Sequence, residues 1–157
     1  MSGERLFRGK VFDVVRDDGK DVVVHAPAVA IVAVDGDGRV VLVRQPRAGA
    51  GRELLELPAG ILDEREEPLA AAQRELREET GLHGGTWRHL ISFFTTPGFS
   101  DELMHLYLAT GLVEGDPAPD PGEDLVVERV ARDDLPRLLE TIEDAKTLVG
   151  LLLHLRG

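Results

Sequence analysis

Between residues 10 and 44 the chain alternates apolar runs with short polar turns: VFDVVR, DDGK, VVVHA, AVAIVAV, DGDG and VVLVR. β-branched runs broken by Asp-Gly turns predict strands, and the economical arrangement is two hairpins. The second turn has the look of a calcium loop. Arg39 and Val40, however, stand where such a loop needs an oxygen ligand and a glycine, so a hairpin turn is the better reading. The stretch QPRAGAGRELLELPAGILDEREEP is punctuated by glycine and proline and predicts a loop and a short strand leading into a helix. Pro68 suits the first helical position, and Leu69, Ala72 and Leu76 recur at helical spacing, which gives that helix a buried face. After Gly81 the pattern returns to strands, with HLISFFTT and LMHLYLAT flanking PGFSDE. A proline-rich acidic loop, EGDPAPDPGED, precedes a strand in LVVERV, and two helical patterns, DDLPRLLETIED and AKTLVGLLLHLR, close the chain.

The helix ending in RELREET places Glu75, Glu78 and Glu79 at i, i+3 and i+4, where they share a face and repel one another. Thr80 and Gly81 read as a stop signal, so the acids also sit at the negative end of the helix dipole, at about 0.3–1 kcal/mol each. An arrangement that costs stability twice points to a use.

Composition narrows the choice. With 157 residues, 43% hydrophobic and 30% charged, the chain has the make-up of one soluble globular domain. Cysteine is absent, which excludes disulfides, thiolate zinc sites, iron–sulfur ligation and a cysteine nucleophile. The start, MSGERLFRGK, has no apolar run, so a cytoplasmic location is expected, and TLVGLLLHL is too short to span a membrane. A net charge of −11 argues against nucleic-acid and anionic-membrane partners. GFSDE is not a G-x-S-x-G elbow, and no H-E-x-x-H occurs.

Read from Gly60, the chain runs G-ILDER-E-EPLAAAQ-REL-R-EE-T-GL, which resembles the Nudix box at every fixed position over residues 60–82. The order of flanking strands and helices is also similar to the family's. The resemblance implies an α/β (α+β) fold, the Nudix α/β/α sandwich with a mixed central sheet and a short N-terminal β-hairpin unit. Residues 1–27 would form that strand unit and residues 28–157 the catalytic domain. It implies metal-dependent hydrolysis of a diphosphate, with Mg²⁺ as cofactor and Mn²⁺ as a substitute. Glu75 and Glu79 would be the principal ligands, Glu78 a third or water-mediated one, and the Ala59 carbonyl a further oxygen. Arg74 would hold the carboxylates, and Glu66 would be structural, stabilising the loop–helix junction.

VRQPR, LLELPAG and Pro97 in TTPGFSDE resemble the ADP-ribose pyrophosphatase subfamily. This implies hydrolysis of ADP-ribose to AMP and ribose 5-phosphate. The alternatives are other nucleoside diphosphate sugars such as GDP-mannose, or a sensor that binds ADP-ribose without cleaving it. By the same resemblance Arg47 would meet the phosphate or ribose, Glu56 would accept from the nucleoside, and Gly98 and Phe99 would line the substrate. The base would be Glu123 on the acidic loop, with Asp124 its near equal and Glu78 the remaining candidate. A homodimer through the N-terminal strands is also implied.

Overall fold

The computed structural model describes residues 3–118 and 125–157. Strands β1 (Glu4–Arg8), β2 (Phe12–Asp17) and β3 (Lys20–His25) form one antiparallel sheet. The β2–β3 turn has Asp18 at φ 47° and Gly19 at φ 74°, two left-handed residues in succession. That is the twist a tight two-residue hairpin requires, and it explains the Asp-Gly pair.

The second sheet contains β4 (Ala28–Val34), β5 (Val40–Arg47), β6 (Arg52–Glu56), β7 (Ala59–Ile61), β8 (Thr86–Phe94), β9 (Leu103–Thr110) and β10 (Val126–Val130). Its main order is β10-β5-β4-β9-β8, with β6 beside β5 and β7 beside β4. The β4–β9 pairing is parallel and the others are antiparallel, so the sheet is mixed.

Strand β4 is apolar throughout because it is covered on both sides. Ala28, Ala30 and Val32 pack with Leu135, Ile142 and Leu151, while Val29, Ile31 and Ala33 pack with Ala71, Ala72 and Leu76. The first set belongs to the layer of α2 (Leu135–Leu139) and α3 (Ala145–Arg156), the second to that of α1 (Pro68–Thr80). Helix, sheet and helix are therefore stacked as an α/β/α sandwich. Gly150 lets α3 lie close, since a Cβ there would stand 3.0 Å from Val32 Cγ2.

Two local expectations change, and the DGDG hairpin turn gains a detail. QPRAGAGRELLE is a third hairpin rather than a loop, because β5 runs on to Arg47 and a turn at residues 48–51 returns it as β6. DDLPRLLETIED holds only a 3₁₀ turn at Arg132–Asp134 and the short α2, which ends in i→i+3 bonds from Glu140 and Thr141. Asp144 then caps a new helix, accepting the Thr147 amide at 2.9 Å. In the DGDG turn, Asp35 is turned inward at 5% exposure, accepting the Asp37 and Arg39 amides and pairing with Arg39 and Arg129. AKTLVGLLLHLR is a core-packed helix, and among the described residues no helix is long and apolar enough to cross a membrane.

Helix α1 stops at Gly81, which is left-handed (φ 78°) and donates to the Arg77 carbonyl. A Cβ on Gly81 would overlap the Gly115 carbonyl. Gly81→Ala is therefore expected to lose about 2 kcal/mol or more, read as a melting temperature lower by about 4–8 °C. A variant melting with the wild type would mean that this helix end relaxes without loss.

Candidate metal and diphosphate site

Short strand β7 and helix α1 make the site. β7 pairs with β4 (Ala30 with Ala59, Val29 with Gly60), and α1 packs its Ala71, Ala72 and Leu76 face on the same sheet. The acidic face of the helix is thereby turned to the β7 backbone. The Glu75 carboxylate lies directly on Gly60, where any Cβ would overlap it. Glu79, 5% exposed, accepts the Ala59 amide at 3.2 Å.

Arg74 ties the acids together. It donates from Nε and Nη2 to the two oxygens of Glu66 (3.0 and 2.8 Å), from Nη1 to Glu75 (2.7 Å) and Glu78 (3.1 Å), and from Nη2 to the Ile61 carbonyl (3.1 Å). The Glu66 bonds are the largest cause of the raised guanidinium pKa and, reciprocally, hold the Glu66 carboxyl below its ordinary range. Glu66 also accepts the Asp63 amide at 3.0 Å, so it braces the loop–helix junction.

The donor set suits a hard divalent cation: carboxylate oxygens from Glu75, Glu78 and Glu79 beside backbone at Ala59, with one guanidinium set against four carboxylates once Glu66 is included. Among the described residues no three such groups already form a cation cage. Arg74 Nη1 instead lies between Glu75 and Glu78. From Arg74 and Glu78 a cleft of about 650 Å³ opens past Arg77, His83, Trp87 and Asp116, within the usual size of a small-molecule site.

Residues 24–150 match the NUDIX domain. The chain belongs to that family. It is 48% identical over 124 residues to an ADP-ribose pyrophosphatase of Mycobacterium tuberculosis, an alignment that takes in 73% of this chain and 60% of that protein. It is 39% identical to an ADP-ribose pyrophosphatase of Bacillus subtilis, covering 96% of this chain and 89% of that one. A solved structure described as an ADP compounds hydrolase superposes with a TM-score of 0.80 at 24% identity, over 98% of this chain and 90% of the other, which shows the shared fold. Membership makes the chain a Nudix pyrophosphohydrolase and brings the family's divalent-metal chemistry.

Outside the Nudix box the structure joins Arg47 and Glu56 to each other. Arg47 donates to both Glu56 oxygens (2.8 and 2.7 Å), and this fork is the main reason its pKa is raised. Glu56, expected to accept from the nucleoside, is 1% exposed and also takes Lys146 Nζ at 2.6 Å. Lys146 was not predicted from sequence, although the Asp-Ala-Lys-Thr start of an apolar helix is a readable cap signal. Gly98 and Phe99 lie exposed on the β8–β9 loop. The Phe99 carbonyl accepts the Val23 amide of β3 at 2.7 Å. Glu123 and Asp124 lie outside the described residues.

Gly60→Ala should push Glu75 from its seat without touching the core. Metal affinity, read from the divalent-ion dependence of the melting temperature, is expected to fall about 10- to 100-fold. An unchanged titration would show that Glu75 does not need the bare backbone at Gly60.

Proposed function

We propose that the chain hydrolyses ADP-ribose to AMP and ribose 5-phosphate, with Mg²⁺ as its metal and Mn²⁺ able to substitute. The observation that carries this is similarity to two ADP-ribose pyrophosphatases outside as well as inside a complete Nudix box. Glu75 and Glu79 are the principal ligands, Glu78 a third or water-mediated one, and the Ala59 carbonyl completes the protein's share. When bound, the metal supplies charge compensation and Lewis acidity at the diphosphate. Arg74 keeps the glutamates in register through its five hydrogen bonds. Arg47, fixed by Glu56 and 42% exposed in its side chain, turns a forked donor to a phosphate or ribose. Gly98 and Phe99 offer the substrate an open loop and an aromatic face. Glu123 orients or deprotonates the attacking water, with Asp124 and then Glu78 as the other candidates.

In this reading residues 1–27 are a strand unit and residues 28–157 the catalytic domain. The unit brings two copies together as a homodimer, supported by the exposure of Leu6, Phe7, Val11 and Phe12 on and between β1 and β2. The protein works in the cytoplasm on a small molecule; its charge of −11 supports neither nucleic acid nor anionic membrane as partner.

Two measurements test the proposal. Product analysis on a sugar-nucleotide panel with Mg²⁺ should give AMP and ribose 5-phosphate from ADP-ribose, fastest among the panel. Faster cleavage of GDP-mannose would replace the substrate, and tight ADP-ribose binding without cleavage would make the protein a sensor. Glu123→Gln should lower kcat about 10²- to 10⁴-fold with little change in affinity for a non-hydrolysable ADP-ribose analogue. A larger loss with Asp124→Asn would transfer the role to that residue.

A further inference from the structure

Three charged or polar groups stand at the start of α3, Asp144, Lys146 and Thr147; Lys146 reaches Glu56 of β6 and Thr147 the residue after it, and the Nudix box contains none of them. Asp144 Oδ2 accepts the Thr147 amide (2.9 Å) and hydroxyl (2.6 Å), while Thr147 Oγ1 accepts the Leu57 amide at 2.8 Å. Lys146 Nζ donates to Asp144 Oδ1 at 2.9 Å and to Glu56 Oε2 at 2.6 Å. Glu56 in turn receives the Arg47 fork. The result is one file of alternating charge: Asp144, Lys146, Glu56, Arg47.

Exposure along the file is uneven. The side chains of Asp144, Lys146 and Glu56 are 17%, 11% and 1% exposed, and that of Arg47 is 42%. The two cations and two anions cancel, which is what permits such burial. Order matters more than the sum. With Lys146 in place, the file ends on a cation at its open end and an anion at its covered end. Without it, Arg47 and Glu56 are a neutral pair whose attraction for an anionic substrate largely cancels, and Glu56 loses a buried partner.

We propose that Lys146 is a positioning residue for substrate binding: by sharing the buried Glu56 carboxylate with Arg47, it leaves the guanidinium fixed in direction and net positive toward the substrate's phosphates. The inference rests on the reading of Arg47 as a substrate-facing residue. Lys146 itself is directed inward between two carboxylates and acts through Arg47.

The full chain with Mg²⁺ tests this through Lys146→Met, Lys146→Arg, Arg47→Ala and the double variant Arg47→Ala/Lys146→Met, each assayed on the nucleoside diphosphate sugar that the wild type cleaves best. Lys146→Met should raise KM about 10- to 100-fold, the loss of one charged hydrogen bond's worth of binding, with a smaller change in kcat. Lys146→Arg should recover most of the loss. In the Arg47→Ala background Lys146→Met should add little, because residues that act through one another are not additive. A merely structural lysine would lower the apo melting temperature and reduce kcat with the active fraction while leaving KM unchanged, and that result overturns the proposal. An equal rise in KM with and without Arg47 also overturns it, since Lys146 would then act independently of the arginine. If Arg47→Ala leaves KM unchanged, the reading of Arg47 fails and takes the inference with it. If Arg47→Ala raises KM and Lys146→Met does not, the inference fails alone.

Discussion

The close approach of α1 to the backbone at Ala59 and Gly60 is the constraint on which the catalytic end of the molecule depends. Three glutamates on one helical face repel by only about 0.2–0.5 kcal/mol per pair when solvated, whereas burying a leucine side chain such as Leu76 gains about 1.5–3 kcal/mol. Carrying Glu75 and Glu79 inward adds a desolvation cost of several kcal/mol per carboxylate, which packing of Ala71, Ala72 and Leu76 offsets together with the Ala59 amide and Arg74. Gly60 has no side chain to resist the arrival of Glu75. Arg74 lowers the remaining electrostatic cost by standing among Glu66, Glu75 and Glu78. Packing sets the place of the site, and charge compensation makes it tolerable.

A second layer of support comes from the opposite face of the sheet. Leu57 lies between β6 and β7, and its amide is held by Thr147 of α3 while its side chain is buried beside Gly150. Two residues later the chain reaches Ala59, whose amide meets Glu79. The strand segment on which the acids rest is thus pinned from both helical layers. The β8–β9 loop is anchored differently. Ser100 pairs in parallel with Val23 of β3, the Asp101 carboxylate accepts the His25 amide at 2.8 Å, and Thr95 donates to Glu102 at 2.6 Å. The N-terminal sheet and the loop carrying Gly98 and Phe99 therefore hold one another.

Features written in short-range spacing were legible in the sequence. The two early hairpins, α1 with its stop at Gly81, and the grouping of Arg74, Glu75, Glu78 and Glu79 all follow from period and punctuation within about twenty residues. Features that depend on distant partners were not. Nothing local in AVAIVAV says that its neighbour is LMHLYLAT in parallel, and nothing in LLELPAG says that Glu56 is turned inward to Arg47 and Lys146. A buried carboxylate is stable only because two cations arrive from other elements, so its orientation is a property of the assembled fold. The shortness of α2 has the same origin: helical spacing alone does not reveal that the chain leaves the helix through i→i+3 bonds at Glu140 and Thr141.

The parallel register of β4 with β9, from Ala28 beside Met104 to Ala33 beside Ala109, also orders events during synthesis. Helix α1 lies in the chain between these two strands and packs against both. While the nascent chain ends before residue 103, β4 has its hairpin partner but not its parallel neighbour, and the helix has only part of the surface that receives it. Contacts between segments so far apart in sequence form late, because the intervening chain must first be gathered. The apolar face of α1 acquires its full bed only when that strand, with Tyr107 and Ala109, is inserted, so the helix that bears the glutamates is seated late.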